Sequence, residues 1–282
     1  MHYRTTIIFL ACVFAGITAL FFLGAFTDSV NAPVTPEKKN SAADAMFAST
    51  ADNKQVFEVA APAIDYAKIL ARFKGKDVEM APMSEKLIAL TFDGGGNAES
   101  AEDIIKILSS NGVHATFFLT GNFIGKFPDI VKRIVSGGNE IANHTATHKN
   151  FSKISNEEAT AEMEGMEQAA EALDVNVVPF FRFPYGAPTK EKIALVNERG
   201  YVAVRWTVDS LGWQGAKDGR DASFVVARVT EKAIQGAIVL MHLGSASDGS
   251  ALDADALERI ITTLAQQGYR FVSLSELFTA SL

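Results

Sequence analysis

From Lys86 onward, short apolar runs alternate with longer stretches whose apolar residues recur at helical spacing. This alternation constrains the fold more than any other feature of the 282 residues. A strand that returns to its sheet through a helix lies parallel to its predecessor, because the helix supplies the crossover that a tight hairpin cannot. Strands are expected over 87–92, 115–119, 140–142, 180–183, 202–207, 237–241 and 270–273. Helices are expected near 100–109, 128–136, 156–173, 190–198, 222–234 and 253–267. Gly, Pro, Asn or Asp punctuates many of the junctions. The fold class is therefore α/β. The strand count suits a distorted (β/α)7-type barrel, with a doubly wound open sheet as the competing architecture.

Ahead of this region the chain has a different character. Residues 7–26 carry no charge, about the 20 residues that a helix needs to cross a bilayer. A cleaved signal has a shorter apolar region, roughly 7–15 residues, so 1–28 reads as a membrane anchor, with a signal peptide as the alternative. Val30-Asn31-Ala32 offers a small-residue cleavage site, but Pro33 follows it directly. Either way the rest is expected to be exported, periplasmic or at the cell surface. Residues 29–54, rich in Ala, Ser, Asn, Pro and charge, read as a flexible linker. Residues 55–84 read as an N-terminal extension holding a short helix at 66–73, and 85–282 as the main domain. A net charge of -7 argues against nucleic acid as a partner. Cys12 lies inside the apolar run, which leaves the folded part without disulfides or thiolate metal ligands.

The unusual polar residues gather at the C-terminal ends of the expected strands, the rim where α/β barrels assemble active sites. Asp93 follows the first strand and His144 and His148 the third. Arg182 and Tyr185 end the fourth, Asp209 follows the fifth and His242 the sixth. His144-Thr145-Ala146-Thr147-His148 spaces two imidazoles by four, which on a helical turn would aim both at one ion. Imidazole favours zinc, with cobalt or nickel possible, over magnesium or calcium. Such a pair is a weak signal alone; its place on the rim gives it weight.

Asp93 opens into Gly94-Gly95-Gly96, where a carboxylate can serve as general base, metal ligand or turn residue. Arg182 near it would keep it ionised, or else forms a structural ion pair. Trp206, Asp209 and Trp213 suit a wall for sugar rings, with core packing the alternative for the tryptophans. His242 suits a general acid, or a neutral core histidine. His114 lies at the opposite strand end and is expected to be structural.

The ordered series Thr-Phe-Asp-Gly-Gly, His-Thr-x-x-His, Arg-Phe-Pro-Tyr, Asp-x-x-x-Trp and Leu-Met-His resembles the NodB-homology polysaccharide deacetylases over about 85–278. The resemblance implies a distorted barrel, a zinc-type divalent metal, and hydrolysis of an N-acetyl group from an amino sugar or of an O-acetyl ester. It implies Asp93 as catalytic base, His144 and His148 as metal ligands, and Arg182 as the residue orienting the base. It places Tyr185 at the oxyanion, Asp209 as the carboxylate tuning the acid His242, and Leu240 beside the acetyl-methyl pocket, with Trp213 at the substrate. Two positions depart from the pattern. Gly94 stands where the family has a second aspartate that ligates the metal, so Asp93 itself, Asn97, Glu99 or water must complete the shell. Gly212 stands where many relatives carry an acidic residue before the tryptophan. Export and anchoring point to an N-acetylated cell-wall polysaccharide as partner, peptidoglycan first. An O-acetyl esterase and a non-catalytic sugar-binding module are the alternatives.

Overall fold

The computed structural model describes residues 63–282; the anchor and linker expectations lie outside them. No helix among the described residues is long and apolar enough to cross a membrane. The chain runs α1 (Tyr66–Phe73), β1 (Asp77–Val78), β2 (Leu87–Gly94), α2 (Ala101–Ser110), β3 (Thr116–Leu119), α3 (Gly121–Lys126), α4 (Pro128–Ser136) and β4 (Glu140–Asn143). It continues through α5 (Asn156–Glu171), β5 (Val177–Phe181), α6 (Lys190–Glu198), β6 (Val202–Val204), β7 (Val208–Asp209), α7 (Ala222–Lys232), β8 (Ala237–His242), α8 (Leu252–Gln266), β9 (Arg270–Phe271) and α9 (Leu274–Ala280). Local chemistry starts several helices. Pro128 opens α4, and capping boxes formed by Ser155 with Glu158 and by Ser273 with Glu276 open α5 and α9.

All strand ladders are parallel, in the order β1-β6-β5-β4-β3-β2-β8-β7, with β9 joining β2. The two ends of this path are not laddered to each other. The segment between β6 and β7 crosses from one to the other: Arg205 N–H donates to Val78 O, and Thr207 N–H donates to Ile238 O. Met80 then bridges Ala237 antiparallel. Closure by single contacts is what distorts the barrel: the expected strand 202–207 ends at Val204 as β6, and β7 begins beyond it at Val208. The residues read as an N-terminal extension supply α1 and β1 to this sheet and its core.

Successive strand residues face opposite sides. On β2, Ile88, Leu90 and Phe92 pack toward the surrounding helices, while Leu87 and Ala89 face the barrel interior with Phe118, Ala142, Phe180 and Ile238. The bottom of the interior is stopped by α1 and α9, with Ile69, Leu274, Leu277 and Phe278 fully buried. Phe278 packs 4.9 Å from Phe73 and 5.3 Å from Phe180, centroid to centroid. Neither α3 nor α9 was expected. Gly121 and Gly125 weaken the helical signal of α3, which rests on its Thr120 cap; Ser273 reads as a strand end until its capping role is seen.

Replacing Phe278 with Ala removes this plug and should cost about 3–5 kcal/mol, as for other buried aromatic truncations. Urea unfolding at fixed pH measures it. A loss below about 1 kcal/mol would mean that α9 is not part of the core.

Candidate active site

The alternation that builds the core also builds the site. Continuing the interior face of each strand toward its C-terminal end leads from Ala89 to Asp93, from Ala142 to His144, from Phe180 to Arg182 and from Ile238 to His242. Parallel pairing puts these ends on one rim, with Asp93 directly beside His242 in the β2–β8 register. They open into a cavity of about 370 Å³ whose lining includes Asp93, His144, His148, Asp209, Leu240 and His242 with the aromatic residues Tyr185, Trp206 and Trp213; Arg182, Asn97, Glu99 and His114 are not part of that lining.

Arg182 lies beneath that cavity, without solvent exposure. Its Nη1 donates to Asp93 Oδ1 at 2.7 Å, Nη2 to Arg205 O at 3.0 Å and Nε to Val204 O at 3.4 Å. The guanidinium also stands 4.0 Å above the centre of the Phe118 ring. Burial alone would push the Asp93 carboxyl up, but Arg182, aided by His144 and His242, holds it below the ordinary carboxylate range. Asp93 is thus an anion at neutral pH, with Oδ1 engaged and Oδ2 open.

His144 is buried, and its Nδ1 donates to Arg182 O at 2.9 Å, which leaves the Nε2 lone pair toward the site, 3.5 Å from Asp93 Oδ2. Burial drives its pKa down to about 4, only partly opposed by Asp93, and burial lowers His148 as well. The two histidines do not share a helical turn as expected. They lie on a loop after β4 in which Thr145 (φ 72°) and His148 (φ 66°) adopt left-handed conformations. These bring the rings to 4.8 Å, edge to face. The loop is tied down by Glu162, a buried carboxylate of α5 that accepts from Thr147 N–H and Oγ1 at 2.7 Å each. Glu162 carries no motif, so nothing in the sequence distinguishes it from its acidic neighbours on that helix.

Two neutral imidazoles with one free nitrogen already oriented fit a divalent ion. The separation of His144 Nε2 from Asp93 Oδ2 also matches that of two ligands about 2.0–2.1 Å from one tetrahedral zinc. No ready cage of three such side chains is present among the described residues. Asn97 and Glu99 do not supply the missing ligand: Asn97 Oδ1 accepts from Ser245 N–H, and Glu99 bonds the Ser245 hydroxyl. Gly94 faces outward with Phe92, and a Cβ there would meet Leu119 Cδ2 at 2.7 Å and Leu243 Cδ1 at 3.0 Å. Metal affinity is accordingly expected to be modest.

The mouth of the cavity is aromatic. Tyr185 is 68 % exposed, sits at φ 62° in a tight turn and packs on His148 at 4.8 Å. Trp206 lies against Gly186, where any Cβ would approach its ring within 2.7 Å. Trp213, 49 % exposed, therefore forms a wall and not core. Asp209 is turned toward its own loop, accepting from Leu211 N–H at 2.9 Å and the Trp213 indole at 3.4 Å. A carboxylate that the sequence reading passed over, Asp253, instead lies against His242; its place at the start of α8 resembles ordinary helix-terminus decoration.

Residues 81–204 match the polysaccharide deacetylase family. A peptidoglycan-N-acetylglucosamine deacetylase of Bacillus cereus is 34% identical over 202 residues, 71% of this chain and 71% of the relative. The solved structure of a peptidoglycan N-acetylglucosamine deacetylase bound to 4-naphthalen-1-yl-N-oxidanyl-benzamide aligns with a TM-score of 0.66 at 32% identity, covering 72% of this chain and 92% of that one. A pseudoenzyme of the CE4 family from Bacillus anthracis aligns with a TM-score of 0.65 at 28% identity, covering 72% and 68%. The chain belongs to the polysaccharide deacetylase family, whose members are in general metal-dependent hydrolases.

The histidine shifts carry a pH signature. A group depressed on folding stabilises the native state above its unfolded value and loses that contribution as pH falls through its folded value. In chelated protein, stability should therefore fall from pH 6.5 toward about 4 as His144 resists protonation. Urea midpoints across that window, compared with His144→Gln, check this; equal slopes in the two proteins would show that His144 is not buried neutral.

Proposed function

We propose that this protein removes N-acetyl groups from the amino sugars of an exported cell-wall polysaccharide, peptidoglycan first. The observation that carries the reading is an anionic carboxylate and an imidazole of raised pKa, Asp93 and His242, side by side on adjacent strands across one cavity. Peptidoglycan is favoured by the activity named for the Bacillus cereus relative, and by the uncharged run 7–26, which would tether the domain beside such a polymer.

His144 and His148 would hold the divalent ion, zinc by ligand chemistry. Bound there, it supplies Lewis-acid polarisation of the acetyl carbonyl. Asp93, fixed through Oδ1 by Arg182, takes a proton from the attacking water on Oδ2. Tyr185 and Leu240 line the cavity, where the family resemblance would put the Tyr185 backbone N–H at the developing oxyanion and Leu240 beside the acetyl methyl. His242 delivers a proton to the departing sugar nitrogen, leaving a free amine and acetate. For His242, burial lowers the pKa but Asp253, Asp93 and Asp209 outweigh it, so the ring keeps its proton above the ordinary imidazole value. Tyr185 and Trp213 present exposed ring faces on which a pyranose can stack.

A second reading, a sugar-binding module without turnover, draws on Gly94 and on the likeness to a pseudoenzyme. Acetate release from peptidoglycan and N-acetylglucosamine oligomers decides between them, measured after chelation and after adding zinc or cobalt. Metal-restored release is expected. No release under any metal, with sugars still bound, supports the binding module, and release from O-acetyl esters alone supports an esterase. Within the deacetylase, His242→Ala should lower kcat about 100-fold or more with bound metal unchanged. His148→Ala should lose both metal and turnover, read by elemental analysis of the same samples.

A further inference from the structure

The first turn of α8 brings a carboxylate into the one corner of the site where the loop before Trp213 has none. Asp253 is 3 % exposed, and its Oδ2 accepts the His242 backbone N–H at 2.9 Å. The same oxygen is 3.7 Å from His242 Nδ1, just beyond hydrogen-bond length. His242 Nδ1 and Asp253 Oδ1 are both buried without a hydrogen-bond partner.

Gly212 is the condition for this placement. A Cβ at 212 would overlap the Asp253 carboxylate, standing 2.5 Å from its Cγ and 3.0 Å from Asp253 N. An aspartate at 212 and one at 253 therefore compete for a single volume. Asp209 does not fill the role, since both its oxygens serve Leu211 and Trp213.

We propose that Asp253 is the positioning residue of His242, holding the proton on Nδ1 and Nε2 toward the cavity, and that Gly212 and Asp253 form an exchanged pair in which α8 delivers the carboxylate that the loop lacks. This rests on the deacetylase reading above. With His242 oriented in this way, Nε2 transfers its proton to the leaving nitrogen while Asp253 stabilises the imidazolium without being protonated itself.

The test uses the full chain with Asp253→Asn, Asp253→Ser, Gly212→Asp and the double variant Gly212→Asp/Asp253→Ser. Acetate release gives kcat and KM, thermal melting reports the fold, and side-chain 15N shifts of histidine-labelled protein report the His242 tautomer. Asp253→Asn and Asp253→Ser should lower kcat about 10- to 100-fold with KM within about twofold. The double variant should recover at least about tenfold over Asp253→Ser, because the carboxylate returns from the loop side. Gly212→Asp alone, with two carboxylates in one volume, should be worse than the double variant. Wild-type His242 should show the Nδ1–H form, and Asp253→Asn a mixture of tautomers.

Unchanged kcat in folded Asp253→Asn, or activity lost in step with melting temperature and not recovered in the double variant, overturns the proposal. If wild type releases no acetate under any metal, the deacetylase reading falls. The tautomer then decides alone: a His242 tautomer that ignores Asp253→Asn overturns the assignment, and one that responds supports it.

Discussion

A guanidinium sealed inside a barrel needs a hydrogen-bond partner for each nitrogen and an answer to its charge, because an unpaired buried ion costs several kcal/mol. Arg182 meets that demand by reaching across the barrel: Asp93 on β2, carbonyls of Val204 and Arg205 at the end of β6, and the ring of Phe118 on β3. Its own carbonyl then orients His144. One buried side chain thus fixes the charge state of Asp93, the tautomer of His144 and the spacing of the strands between them. The cavity chemistry depends on this contact more than on any residue at the mouth.

The two-residue period of a strand explains why so few residues decide the site. On each strand one face joins the helical layer and the other enters the barrel, so the last inward residue before the rim is the one that can act. Asp93 and Gly94 are neighbours in sequence but belong to different faces. Asp93 belongs with Arg182 and His242; Gly94 belongs with Leu119, Leu243 and Phe123. The absent side chain at 94 leaves the outer layer closed by leucine methyls, and Asp93 Oδ2 is the carboxylate oxygen that remains beside His144.

Much of this was legible in the chain. Apolar runs flanked by helical periodicity marked most strands, because parallel strands buried on both faces leave continuous hydrophobic stretches. Less legible was whatever depends on tertiary placement. The break after Val204 is invisible locally, since Arg205 and Thr207 bond to different strands. The spacing of His144 and His148 singled them out, but the helical turn assumed for them is a loop held by left-handed residues and by Glu162, whose partners lie 15 residues away. Asp253 was missed for a related reason. An aspartate in the first turn of a helix is ordinary, and only the packing of α8 against the loop before Trp213 makes it part of the site.

That packing bears on how a departure from a family pattern is weighed. Gly94 and Gly212 look alike in sequence, each a glycine where the family resemblance leads one to expect a carboxylate. In the structure they are opposite cases. At Gly94 the vacated direction is taken by apolar side chains, and no new carboxylate enters. At Gly212 the vacated volume holds the carboxylate of Asp253, so the glycine is required by its replacement. Loss of turnover at one site would leave the other without purpose. A buried carboxylate with an oxygen lacking a partner is costly to keep unless an imidazole uses it. The arrangement around His242 is therefore the stronger physical argument for an enzyme, and the arrangement around Gly94 bears on how tightly the proposed site would hold an ion.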